Sequence, residues 1–263
     1  MSAVLRTSGL SVRFGGVHAV RDVDVEVAEG ELVGLIGPNG AGKTTFVDAI
    51  TGYVRYTGSV ELDGRDLRGV APHQRARRGL ARTWQSTELF DDLTVSENVS
   101  VAAQQPSFLS LAAELVGKHL GGSEAAEHAL DALDLRPIAD ATPSELTQGQ
   151  RKLVGVARAV AMQPRLLCLD EPAAGLDTHE SEELGKRLRQ IADRGTTTLL
   201  IDHDMGLVLT ICDRITVLEF GQVIATGPPD DVRRDPRVVS AYLGGSATAS
   251  PVVPEAAEPA ETA

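Results

Sequence analysis

Residues 37–44 read GPNGAGKT. This G-x-x-x-x-G-K-T run follows an apolar strand-like stretch, Glu31 to Ile36, and opens a helical stretch from about Lys43 to Ile50 that Gly52 stops. A strand, a glycine-rich turn and a helix in that order form a cradle for polyphosphate. Glycines let backbone amides wrap the phosphates without Cβ obstruction, and the helix N-terminus adds partial positive charge. The candidate nucleotide contacts are Gly37, Pro38, Asn39, Gly40, Ala41, Gly42, Lys43, Thr44 and Thr45. Lys43 is placed to reach the β- and γ-phosphates, and the Thr44 hydroxyl to hold Mg²⁺.

A second segment fits the first. Leu166-Leu167-Cys168-Leu169-Asp170-Glu171 is an apolar run ending in two carboxylates. At a strand end, Asp170 is expected to hold Mg²⁺ opposite Thr44, and Glu171 to take a proton from an attacking water. Cys168 lies inside the run and is read as a small buried hydrophobe.

The rest of the chain alternates strand-like and helix-like segments. Val23–Val27, Ser59–Leu62 and Thr196–Ile201 read as strands, and Glu180–Ala192 as an amphipathic helix with Glu182/Lys186 and Glu183/Arg187 spaced for i,i+4 pairing. Alternation of this kind predicts an α/β fold with a parallel sheet. From about Thr94 to Met162 the patterns are helical without a convincing strand, as in an insertion. Ser246–Ala263 contains only Ser, Ala, Thr, Pro, Val and Glu and reads as a disordered tail.

Composition removes several alternatives. With 263 residues the chain has room for one or two domains, and its two cysteines exclude a disulfide scaffold. No run approaches the ~20 apolar residues of a membrane span, and the first residues lack the apolar core of a secretory signal. A cytosolic chain is therefore expected, with any membrane link made through a partner. The net charge of −12 argues against a nucleic-acid binder. Arg65, Arg68, Arg75, Arg77, Arg78 and Arg82 form the one local basic excess. It reads first as a solvated surface helix and second as a docking surface for an acidic partner or phospholipid.

Five further segments, in order, resemble the ATP-binding subunits of ABC transporters over residues 1 to about 245. Phe14, in RFGG, looks like the aromatic that stacks on adenine. Gln85, in RTWQ, looks like the glutamine that links the γ-phosphate region to the helical insertion. LTQGQ at 146–150 looks like the LSGGQ signature, with Thr147, Gly149 and Gln150 as its ATP contacts. Gly175-Leu176-Asp177 resembles the loop that crosses the dimer interface. His203, in LLIDHD, looks like the γ-phosphate histidine. Thr147 replaces the usual serine and keeps its hydroxyl. Gln148 replaces the usual glycine and adds a side chain at the closing surface. EPAAGL, IDHDM, CDRITVL, GQVIATG and AYLG narrow the likeness to subunits serving branched-chain and other hydrophobic amino acids, with urea and amide importers related.

The resemblance implies a P-loop NTPase core, an antiparallel β part at the N-terminus, and a helical subdomain at about 89–162 within a core of 1–88 and 163–245. It implies ATP and Mg²⁺, catalysis by Glu171, His203, Gln85 and Lys43, and metal contacts from Thr44, Gln85 and Asp170. The implied partners are a second cassette, two transmembrane permease subunits and, indirectly, an extracytoplasmic solute-binding protein. The implied location is the cytoplasmic face of the membrane. Competing readings are a soluble ABC ATPase acting on ribosomes or DNA, a nucleotide sensor that does not hydrolyse, and an unrelated phosphate-loop kinase.

Overall fold

The computed structural model describes residues 2–84, 88–103 and 122–244. Gln85 and the tail from Ser246 lie outside them. Among the described residues, two sheets organise the chain.

The first sheet is antiparallel and carries β1 (Ala3–Phe14), β2 (Val17–Ala28), β4 (Thr57–Leu62) and β5 (Arg65–Asp66) in the order β2-β1-β4-β5. Buried and exposed residues alternate along β2 from Val23 to Val27, as expected of a strand with one face on a core.

The second sheet has the order β10-β9-β3-β8-β7-β6. It is built from β3 (Leu32–Ile36), β6 (Leu80–Arg82), β7 (Leu166–Asp170), β8 (Thr198–Ile201), β9 (Arg214–Glu219) and β10 (Gln222–Gly227). Every pair is parallel except β9–β10, which forms a hairpin. This is the expected α/β fold with a mainly parallel sheet and an antiparallel N-terminal part.

Side chains of the parallel strands divide by alternation. Val33, Leu35, Leu166, Cys168, Leu199 and Ile201 join one core. It also holds Phe46, Val47 and Ile50 of α1 (Lys43–Thr51) together with the antiparallel sheet. Leu32, Ile36, Leu167, Leu169 and Leu200 join the other. There they meet the helices α3 (Val95–Ala103), α4 (Gly122–Ala132), α5 (Gln148–Ala161), α6 (Thr178–Asp193) and α7 (Met205–Ile211). A sheet covered on both faces explains why β3, β7 and β8 are continuous apolar runs. The described residues between 95 and 161 form α-helices and 3₁₀ turns without a strand.

Three expectations need correction. Arg75 of α2 (Pro72–Arg77) is buried, not solvated. Its guanidinium donates to the carbonyls of Ala49, Ile50, Leu67 and Val70 at 2.8–2.9 Å. It thus adds a donor to the last carbonyls of α1, where Ala49 O also accepts the Gly52 amide at 3.2 Å. The Arg82 side chain is also buried. On α6, Lys186 pairs with Glu183 at 2.6 Å, and Arg187 reaches Asp134, so the i,i+4 pairs expected there are replaced by other partners. The last helices, α8 (Pro229–Arg234) and α9 (Pro236–Gly244), follow the hairpin.

Candidate functional site

The site lies at the carboxyl ends of β3, β8 and β7, three neighbouring parallel strands, where open α/β sheets bind ligands. The phosphate-loop residues follow β3, Asp202 and His203 follow β8, and Asp170 ends β7 with Glu171 next. The register pairs Leu35 with Ile201 and Asp170 with Ile201, so the three ends are level.

The loop geometry demands glycine at two positions. Gly37 has φ 152°, and a Cβ there would lie 2.1 Å from the Leu218 carbonyl oxygen. Gly42 has φ 101°, and its Cβ would lie 2.4 Å from the Ala19 carbonyl oxygen. The loop is therefore pressed against the β9 end and against β2. The amide of Gly221, in the β9–β10 turn, donates to Ala41, and that of Arg21 donates to Gly221.

Lys43 is buried, and its Nζ donates to Gly37 O at 2.7 Å and Pro38 O at 3.3 Å. Burial pulls its pKa below the ordinary lysine value, against the attraction of Glu171, Asp202 and Asp170. Removing an ammonium from water disfavours its charge, and the three carboxylates partly restore it. Thr44 is exposed at the loop end. A threonine hydroxyl with an aspartate carboxylate is a hard-oxygen donor set that fits Mg²⁺. Among the described residues no cluster of three His, Cys, Asp or Glu side chains could hold a metal. An ion there would take its other ligands from phosphate and water.

His203 Nδ1 lies 3.9 Å from Glu171 Oε2 and 3.7 Å from Asp202 Oδ1. Glu171 has φ 47°, a left-handed conformation that a non-glycine residue adopts at a cost of about 1–2 kcal/mol. Its amide is held by Ile201 O at 2.7 Å.

Phe14 stands at the tip of the β1–β2 hairpin, 54% exposed and opposite Val17. Thr147, Gly149 and Gln150 open α5. The Thr147 hydroxyl accepts from Gln150 N at 3.2 Å, and Gln150 Oε1 accepts from Thr147 N at 2.9 Å, a reciprocal cap. The Gly149 amide donates to Glu180 Oε1 at 3.3 Å. The added side chain at Gln148 lies against Gly175: a Cβ on that glycine would be 2.9 Å from Gln148 Nε2.

Four residues were missed by sequence reasoning. Asp202 is fully buried, and its Oδ1 accepts from the amides of His203 at 2.8 Å and Asp204 at 3.0 Å. Its signal was present, because LLID ends an apolar strand in a carboxylate just as LLCLD does. Lys152, on the second turn of α5, is buried, and Asp202 and then Glu171 counter the burial that lowers its pKa. Glu180 is visible only as the residue whose amide Asp177 caps. Arg82 bridges Asp48 at 2.6 Å and Asp170 at 2.7 Å. Burial disfavours its charge, but the hydrogen bonds it donates to Asp48 and Asp170 outweigh that and hold its pKa above the ordinary arginine value. Its signal was a lone cation closing the apolar strand Leu80–Arg82.

A glycine cradle, a buried lysine and facing carboxylates at level strand ends define a phosphate-loop nucleotide-binding protein. The particular family follows from sequence comparison: the profile described as ABC transporter matches residues 20–174, and the chain belongs to that family. The profile of the branched-chain amino acid ATP-binding cassette transporter matches residues 222–248. Among similar proteins, the branched-chain amino acid transport ATP-binding protein BraF of Pseudomonas aeruginosa is 39% identical, covering 92% of this chain and 98% of its own. LivG of Escherichia coli K12, with the same described role, is 41% identical with the same coverage. The lipopolysaccharide export system ATP-binding protein LptB of Acidithiobacillus ferridurans is 37% identical, covering 93% of this chain and 98% of its own. A nucleotide-free ATP-binding cassette from an ABC transporter matches with a TM-score of 0.79 at 30% identity, over 92% of this chain and 99% of that one. The ADP conformation of an ATP-binding cassette matches at 0.78 and 30%, over 93% and 100%.

Proposed function

We propose that this chain hydrolyses ATP to ADP and phosphate at the interface of two cassettes, and so energises an importer of branched-chain or other hydrophobic amino acids. The observation that supports this most is the buried Lys43, anchored on Gly37 O and facing Asp170, Glu171 and Asp202 at level strand ends. In this reading Lys43 and the loop amides bind the β- and γ-phosphates, and Phe14 stacks on adenine. Thr44, Asp170 and Gln85 would hold Mg²⁺, which supplies charge neutralisation at the transferring phosphoryl group. Glu171 takes the proton of the attacking water, and His203 beside it positions the γ-phosphate. Thr147, Gly149 and Gln150 close over the nucleotide of a second cassette, to which the positive end of α5 contributes.

No described helix is long and apolar enough to cross a membrane, so membrane attachment in this reading is through two permease subunits at the cytoplasmic face. The substrate class is supported by the match over residues 222–248 and by the described roles of BraF and LivG. The likeness to LptB supports export as the second reading. The test is affinity purification of the tagged chain from its native cells in mild detergent. Recovery of multi-spanning permease chains with a solute-binding protein supports import. Permeases accompanied by an envelope-bridging export apparatus favour the second reading. Ribosomal or DNA-bound partners without a membrane chain overturn both.

A further inference from the structure

One buried cation connects the candidate metal carboxylate to the molecular surface. The Arg82 side chain is 6% exposed, with Nη1 on Asp48 and Nη2 on Asp170. Its guanidinium carbon lies 4.3 Å from the centroid of the Trp84 ring, a stacking geometry for a cation on an aromatic face. Trp84 is 50% exposed and meets the exposed Tyr53 edge-on at 5.2 Å. Arg82 Nε is buried without a hydrogen-bond partner among the described residues.

A guanidinium is a rigid plane, so its contacts with Asp48, Asp170 and the indole constrain one another. A buried bridge with an unsatisfied donor is a weak source of stability. Arg82 and Trp84 also both line two cavities, of about 380 and 160 Å³. The group is therefore confined but not close-packed.

We propose that Arg82 is a positioning residue that fixes the Asp170 carboxylate for Mg²⁺ and links that carboxylate to Trp84, so that metal binding and the environment of Trp84 change together. This rests on the reading of Asp170 as a metal ligand. Without Arg82, the like charges of Asp48 and Asp170 face one another across an uncompensated site, and Asp170 turns toward water. Linkage makes the coupling reciprocal: a ligand at Trp84 whose affinity Mg²⁺ changes alters the affinity for Mg²⁺ by the same factor.

Trp84 is the sole tryptophan, so its emission reports the linkage directly. The experiment titrates Mg²⁺ into the full-length chain at saturating ADP while following that emission, with the Mg²⁺ dependence of ATP hydrolysis measured beside it. The wild-type emission is expected to shift saturably. Arg82→Met is expected to lose the shift and raise the half-saturating Mg²⁺ about tenfold, as for other groups that orient a metal ligand. Its kcat at saturating Mg²⁺ and its metal-free ADP affinity are expected to stay near wild type. Arg82→Lys restores part of the response. Asp48→Asn, which leaves both Arg82 and Asp170 in place, moves the Mg²⁺ midpoint in the same direction by a smaller factor and serves if Arg82→Met does not fold. A wild-type midpoint and emission shift in Arg82→Met, or in Asp48→Asn where only that variant folds, overturns the proposal. Asp170→Asn separates the two readings. If it leaves the Mg²⁺ midpoint unchanged, the metal assignment of Asp170 fails. If it raises the midpoint while Arg82→Met does not, only the positioning role fails.

Discussion

Replacing Asp202 by alanine tests how the site is held together. Asp202 Oδ1 accepts two backbone amides, at 2.8 Å from His203 and 3.0 Å from Asp204, and Oδ2 accepts a longer third from Ala173 at 3.4 Å. The residue has no solvent exposure. Hydrogen bonds to a charged group contribute about 1.5–3 kcal/mol each, and a buried donor left unpaired costs about 1–3 kcal/mol. Two short bonds from one carboxylate are not independent, so the expected loss is about 3–5 kcal/mol. For a chain of this size that is a fall in Tm of about 6–20 °C. Asp202→Asn keeps an acceptor for His203 and Asp204 but turns an amide toward Ala173 N, with an expected loss of about 1–3 kcal/mol. The assay is urea unfolding without nucleotide, followed by far-UV circular dichroism, with thermal melts beside it. A loss under about 1 kcal/mol in Asp202→Ala at unchanged m-value refutes the view that this carboxylate anchors the His203 loop.

Glu171→Gln is expected to keep ATP binding and lose about 10²–10⁴-fold in turnover, the usual worth of a general base; steady-state hydrolysis near wild type removes Glu171 from that role. Lys43→Ala is expected to weaken ATP about 10–100-fold, the equivalent of one charge-assisted hydrogen bond, measured by nucleotide titration. An unchanged titration would sink the phosphate-loop assignment. The Cys168 thiol is pushed up to about 12 by burial, and Cys212 is raised as well. Neither is expected to react with a thiol reagent at neutral pH in the folded chain, and both are expected to react in urea; fast labelling of the native chain contradicts the two-faced core.

Much of the site was legible because its chemistry is local. The phosphate loop and LLCLDE each announce a strand end with a reactive residue attached, and the structure brings them level. Asp202, Lys152 and Arg82 were less legible because their roles depend on which strands become neighbours. A lone arginine after Leu80-Ala81 carries no mark of the Asp48 and Asp170 that will flank it, residues 34 and 88 positions away. Arg75 shows the same limit from the other side. Its surroundings in sequence are basic and polar, yet the carbonyls of Ala49 and Ile50 in α1, with the nearer Leu67 and Val70, draw it inside. The pairing of Arg187 with Asp134 instead of Glu183 shows tertiary proximity overriding helical spacing.

The sheet covered on both faces has a consequence for time as well as shape. Opening β3, β8 or β7 exposes two cores at once, so their amides will be the last to trade hydrogen with solvent. The loops that carry Lys43, Glu171 and His203 start from those slowest segments. Thermal motion at these loops is thus measured against a frame that stays closed for as long as the whole domain does.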